Sequence, residues 1–240
     1  MLSSIILAAL PLFASAAPSP QPDLFSSLAK RADVPAAISQ CDLSTVKMNT
    51  EGLPPPSAGL VLDHIAIGRG TQNYTCKDDT DASTPTLVGA LATLFNVTCM
   101  AGPYASLLEV LPSIAVKFPV PDPNAALSPA NLFLLGHHYF TNMTTPFFNL
   151  NTDSHEWGLM ACSKLNSTNA PNSAVDVTNL KLAAKSRDGC TVQEVYRLNA
   201  AGGQPPATCK GMASSFQVDY AAEYWFWSDP KGQTKTGSYS

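Results

Sequence analysis

The sequence predicts an all-β domain, a sandwich or a barrel, with one short helical insertion. Three observations predict it. Apolar or alternating segments recur at short intervals. Clusters of Gly, Pro and Asn separate them as turns. Only one stretch carries helical spacing of its leucines. Many short strands with turn signals between them are the signature of β-sandwiches and barrels. The chain has 240 residues, enough for one domain with a sizeable core.

Pro54-Pro55-Pro56 ends an N-terminal arm that Cys41 is expected to pin to the body. Residues 60–67, Leu-Val-Leu-Asp-His-Ile-Ala-Ile, read as a strand, closed by the turn residues Gly68-Arg69-Gly70. Residues 71–76 would be its hairpin partner, 78–85 a loop, and 87–98 a further β-compatible run. The spacing of Leu107, Leu108 and Leu111 predicts a helix over 104–116, which Pro112 must bend or end because it lacks a backbone donor. Residues 119–129 form a proline-punctuated loop. Residues 132–140, 177–183 and 191–198 read as strands, the last alternating, with Val192 and Val195 interrupting the alternation. Residues 216–227 close the body as an aromatic strand, and the polar residues 229–240 are expected to be a disordered tail. No internal repeat is present.

The N-terminus reads as an export address. Residues 1–17 have an apolar run, 5–13, followed by Ala14-Ser15-Ala16, a small-residue cleavage site. The basic residue that usually precedes the run is missing. Residues 18–31 read as a pro-segment ending at the dibasic Lys30-Arg31, and 32–228 as a single β-rich domain. The expected location is therefore secreted and extracellular. Four sequons, at Asn73, Asn96, Asn142 and Asn166, fit a glycoprotein. Six cysteines in the mature chain fit three disulfides in an oxidising compartment, with 15 pairings open. The net charge of −4 offers no basic face for nucleic acid. No later apolar run approaches the roughly 18–20 residues that span a bilayer.

Several residues could carry chemistry, each with a bland alternative. His137 and His138 are adjacent on a predicted strand, so their side chains face opposite sides and cannot share one metal without a bulge. His64 and His155 lack ligand spacing, so no metal and no cofactor is expected. No G-x-S-x-G elbow occurs. Glycoside hydrolysis needs two acids in one cleft, and Asp63, Glu156, Asp219 and Glu223 are available or are simply solvated. Arg197 and Asn199, two apart, would share a strand face and line a polar pocket for a carboxylate or sugar hydroxyls. In the bland reading Arg197 pairs with Glu194 or Asp219. In Tyr224-Trp225-Phe226-Trp227 the tyrosine and Phe226 face one side, Trp225 and Trp227 the other. That second face is an aromatic platform for sugars if open, and core if the arm or a helix covers it.

Four segments in this order are similar to a known family: 68–76, Gly-Arg-Gly-Thr-Gln-Asn-Tyr-Thr-Cys; Gly136-His137-His138-Tyr139; 197–203 followed by Pro205-Pro206 and Cys209; and 220–226, Tyr-Ala-Ala-Glu-Tyr-Trp-Phe. Together they resemble the domain-of-unknown-function 3455 family of secreted fungal and bacterial proteins, from about residue 54 to 227. The resemblance implies a β-rich exported domain with no established activity. It implies that Cys76 pairs with Cys209, since bacterial relatives resemble the chain at those two cysteines alone, and it favours His138 over His137 for any role. Elimination then leaves Cys162 with Cys190, closing a hairpin, and Cys41 with Cys99. Fungal relatives are often labelled malate dehydrogenase, and the residues argue against an NAD enzyme here. Gly68-Arg69-Gly70-Thr71-Gln72-Asn73 lacks the third glycine of a dinucleotide turn and runs on into Tyr74-Thr75-Cys76, which read as strand.

Two expectations follow. The first is a secreted binding or surface protein, acting on cell-wall polysaccharide or on a host or surface protein, with Trp225, Trp227 and Asn199 as ligand contacts. The second is an extracellular hydrolase in which His138, Tyr139, Arg197 and Gln72 converge on one pocket with an acid beside the imidazole.

Overall fold

The computed structural model describes residues 41–121 and 134–231. The expected signal peptide, pro-segment and most of the polar tail lie outside the described residues. Eight antiparallel strands follow one another around a closed barrel. They are β1 (Val61–Thr75), β2 (Thr86–Asn96), β3 (Leu134–Asn142), β4 (Thr145–Thr152), β5 (His155–Thr168), β6 (Asn179–Asp188), β7 (Val192–Gly202) and β8 (Ser215–Ser228). Pairing of β1 with β8, from Val61 against Ser228 to Thr75 against Ser215, closes the ring and leaves no free edge. Among the described residues, a 3-10 turn (Thr98–Met100) and one α-helix, α1 (Ala105–Ala115), lie between β2 and β3. The sequence left sandwich and barrel open; the sheet closes on itself as a barrel.

Inward positions alternate along each strand, as the pleat requires. Ala66, Leu94, Phe148, Met160, Val195, Tyr220, Tyr224 and Phe226 fill the interior. The outer face of β1, β7 and β8 is also apolar, with Ile65, Ile67, Tyr196, Leu198 and Trp225, and it is buried under the N-terminal arm and α1. Tyr224 and Phe226 thus point inward and Trp225 and Trp227 outward, as the alternation predicted. The arm is fixed by hydrogen bonds from Tyr196 Oη to the Pro54 carbonyl and from Lys181 Nζ to the Pro55 carbonyl, both 2.8 Å. Arg69 Nη2 donates to the carbonyl of Phe118, at the end of the α1 turn, and to Asp219.

Several elements differ from the sequence reading. Gly68-Arg69-Gly70 is not a turn: β1 runs straight through it to Thr75. The glycines serve close approach instead. A Cβ on Gly68 would collide with the Tyr224 ring, and one on Gly70 with the Leu91 carbonyl oxygen of β2. Strands β4 and β5 were missed, because Pro146, Gly158 and a polar outer face hide the inward alternation of Phe148, Leu150, Met160 and Cys162. Pro112 does not end α1, which continues to Ala115; its missing N–H leaves the Leu108 carbonyl without a helical donor, yet its ring is buried.

Helix α1 presents Leu108 to the barrel and leaves Leu107, Val110 and Ile114 exposed. Leu108→Ala should cost about 2–5 kcal/mol and Leu107→Ala less than about 0.5 kcal/mol, measured by urea unfolding. Equal effects would mean the helix is rotated from this position.

Cys76 bonds Cys209, with Cα atoms 5.7 Å apart, and Cys41 bonds Cys99, at 5.0 Å. The expected third bridge is absent: Cys162 and Cys190 are buried thiols. The backbone of Cys190 lies against Gly158, four residues along β5 from Cys162. At about 3.3 Å per residue that offset exceeds the roughly 7 Å between Cα atoms that a bridge tolerates. Two disulfides fit an oxidising compartment. No helix among the described residues is long and apolar enough to cross a membrane. Of the sequons, Asn142 and Asn166 are exposed, whereas Asn73 and Asn96 are half-buried.

Candidate functional site

A cleft of about 250 Å³ opens on the outer face of the barrel, between the arm, α1 and the outward side of β7 and β8. Lys47, Asn49 and Glu51 come from the arm, Glu109 from α1, Asn199 from β7, and Glu223 and Trp225 from β8. Glu223 sits at its floor, 5 % exposed. Each of its oxygens has a donor: Asn199 Nδ2 at 3.1 Å and the Trp225 indole N–H at 2.8 Å. Asn199 Nδ2 also donates to the Glu109 carbonyl, tying α1 to β7. At the rim, Asn49 Nδ2 donates to Glu51 at 2.6 Å.

A β-bulge between Leu198 and Ala201 builds this corner. It holds Asn199 at φ 48°, in the left-handed region that Asn tolerates better than most residues. The extra residue breaks the alternation, so Arg197 points into the barrel while Asn199 reaches the cleft. The expectation that the two share a face is therefore wrong. Glu51, at φ 52°, is the other non-glycine residue with left-handed backbone among the described residues, and it lines the same cleft. Strained backbone persists where the surrounding structure imposes it, and it clusters at binding sites.

Burial drives the Glu223 carboxyl above its ordinary pKa, and the charges of Glu109 and Glu51 push it the same way; the Asn199 and Trp225 hydrogen bonds oppose them. Three carboxylates, two amides and an indole around one lysine suit a ligand rich in hydroxyl or other donor groups. Trp225 acts here as a wall, since only 4 % of it is exposed. Trp227 packs against the same covered cluster, so the Trp225/Trp227 face is core and not an open platform.

The second group of expected residues lies elsewhere. His138, Arg197 and Gln72 do come together, inside the barrel, but the Tyr139 ring lies tilted beside Phe147 on the other face. The His138 ring stacks on Phe148 at 4.5 Å. Its Nδ1 lies 2.9 Å from the Phe147 carbonyl, which can only accept, so Nδ1 carries the proton. No acid orients this imidazole among the described residues. Neither bland partner of Arg197 is used: Glu194 pairs with Lys181 at 3.1 Å and Asp219 with Arg69 at 2.7 Å. His137 points away from the barrel interior, its Nδ1 without a partner. His64 and His155, distant in sequence, both contact Trp157, His155 stacked at 3.6 Å and His64 tilted at 4.0 Å between ring centroids. Asp63 beside them accepts from Ser228 and contacts His64. No group of three or more His, Cys, Asp or Glu that could hold a metal ion occurs among the described residues.

Burial pushes the His138 pKa down to about 4. The unfolded chain, at about 6.5, therefore binds the extra proton first, and stability falls as pH drops from about 6.5 to 4, by about 3 kcal/mol across that window. Urea unfolding at several pH values should show this slope, and His138→Phe should flatten it. An unchanged slope in that variant would mean the acid sensitivity arises elsewhere.

The chain belongs to the family described as protein of unknown function DUF3455, whose profile matches residues 56–228. That span includes β1 to β8, with Asn199, Glu223 and Trp225 but not Lys47, Asn49 or Glu51. No curated protein and no solved structure matches the chain.

Proposed function

We propose that this DUF3455 domain is an exported, glycosylated binding module that holds a segment of cell-wall glycan in the cleft on Glu223. One observation carries the reading. The two non-glycine residues in left-handed backbone conformation among the described residues, Glu51 and Asn199, both line that cleft. Carboxylates, an amide and an indole in a preformed concavity are the groups that recognise sugar hydroxyls. The two disulfides and the sequons at exposed Asn142 and Asn166 support the extracellular setting.

The test is retention of the mature protein on cell-wall polymers and on a glycan array. Asn199→Ala and Glu223→Gln should each weaken retention by roughly tenfold or more, the loss of one buried hydrogen bond to the ligand or its support. Failure to bind any wall polymer, or unimpaired binding by both variants, would overturn it.

A second reading, hydrolysis of the bound glycan, draws on the raised pKa of Glu223 beside Glu109. A carboxyl whose pKa is raised by burial is the kind of group that protonates a glycosidic leaving oxygen. Release of new reducing ends, abolished in Glu223→Gln even at glycan concentrations that saturate its weakened binding, would establish it. Binding without release rules it out.

A further inference from the structure

The barrel interior encloses a cation without an acid. Arg197 is 7 % exposed. The ion pairs among the described residues are Asp63–His64, Arg69–Asp219 and Lys181–Glu194, and Arg197 is in none. Its Nη2 donates to the Thr178 carbonyl at 2.9 Å, and its Nε has no partner. Gln72 from β1 is 1 % exposed, and its Nε2 is likewise without a partner. The two are linked through tyrosines. The hydroxyls of Tyr220 and Tyr224 lie 2.8 Å apart, and both Gln72 and Arg197 bear on the Tyr220 hydroxyl. The Arg197 charge also reaches Tyr74 and Tyr224, and its side chain hydrogen-bonds the Tyr224 hydroxyl.

A buried guanidinium is ordinarily matched by an anion, and buried donors are ordinarily satisfied. Here one charge and two donor groups are left over within one cluster. Such leftovers call for an acceptor that the surrounding side chains do not supply. The acceptor that fits a guanidinium edge best is planar, with two oxygens and one negative charge. The cluster lies near a barrel end rather than at its middle. Gly203, just past β7, is packed against Tyr220, Val177 and Gln72, and the Tyr74 hydroxyl donates to its carbonyl at 2.8 Å. An eight-stranded barrel is just wide enough for side chains to fill or for one small ligand to enter, so a ligand here must be no larger than a small carboxylate among the packed tyrosines.

We propose that the barrel interior binds the carboxylate of a small molecule, with Arg197 as its counter-ion and Gln72 and the Tyr220–Tyr224 pair as further hydrogen-bonding partners. This site is separate from the Glu223 cleft. Nothing in it depends on glycan binding.

Thermal unfolding of the mature glycoprotein at constant ionic strength, with sodium formate or acetate replacing sodium chloride, provides the test. A ligand of the native state raises the unfolding midpoint with the logarithm of its concentration. Formate or acetate should do so where chloride does not. Arg197→Met should remove the response, and Gln72→Leu should shift it to roughly tenfold higher concentration. If Arg197→Met does not fold, Gln72→Leu alone decides, with Leu107→Ala, at an exposed position on α1, as the control that keeps the full response. A midpoint that follows chloride equally, that ignores both carboxylates, or that responds unchanged in Gln72→Leu overturns the proposal.

Discussion

A Cys76→Ser, Cys209→Ser double variant is expected to lose about 5 kcal/mol of stability, enough to unfold many domains at 37 °C. The bridge joins residues 133 apart in sequence, the end of β1 to the segment before β8. In the chain-entropy model, the stabilisation grows with the logarithm of the loop closed, so this bridge restrains the unfolded chain more than Cys41–Cys99, with a separation of 58. Both strands it joins also form the seam that closes the barrel. Urea unfolding of the double variant measures the loss directly; a change under about 1 kcal/mol would contradict the account. Thiol labelling gives a companion result. Cys162 and Cys190 are both buried and burial pushes the Cys162 thiol up to about 12, so neither thiol reacts until the chain unfolds, when two do.

Gly70→Ala is expected to cost about 3 kcal/mol or more, the upper range for forcing an atom into a filled site. The added methyl would meet the Leu91 carbonyl oxygen, with Ala92 Cα 2.6 Å away. Both are backbone of the paired strand, where Gly70 faces Ala92 in register, so no side chain can swing aside. Strands β1 and β2 would have to part. Gly102→Ala is the control, since its nearest neighbour would be the Asp42 carbonyl oxygen at 3.7 Å. Chemical denaturation of the two variants should separate them clearly, and equal stabilities would show that β1 and β2 are spaced more widely than described.

Much of the fold was legible because the barrel obeys a two-residue period. The alternation at Tyr224-Trp225-Phe226-Trp227 assigned both faces of β8 correctly, and the leucines of α1 located the helix. The reading broke where one residue type has two uses. Glycine at 68 and 70 signals a turn when considered locally, but across strands it permits close packing. Long strands with polar outer faces, β4 and β5, carried their signal only on inward positions such as Phe148 and Met160. The bridge between Cys162 and Cys190 failed for want of register, which spacing along the chain does not supply.

The site was less legible. Asn199 and Trp225 were singled out as ligand contacts and do meet in the cleft, but for different reasons from those expected. Asn199 reaches it through a bulge that reversed its face, and Trp225 through its indole N–H. Glu223 was recognised only as one acid of four. Its neighbours Glu51 and Glu109 arrive from the arm and α1, and no pattern in the chain connects those three positions. The positive φ at Glu51 and Asn199 was likewise invisible in a sequence where neither residue is glycine.

The most direct test of the binding reading is an NMR titration of the mature protein with a soluble oligomer of whichever wall polymer retains it. The Trp225 indole N–H and the Asn199 side-chain amide both contact Glu223 and report on the cleft floor. The account predicts that these two resonances shift together and saturate at the affinity measured by retention, while the Trp157 indole stays in place. Shifts confined to Trp157 and its neighbours, with Trp225 and Asn199 unmoved, would contradict it.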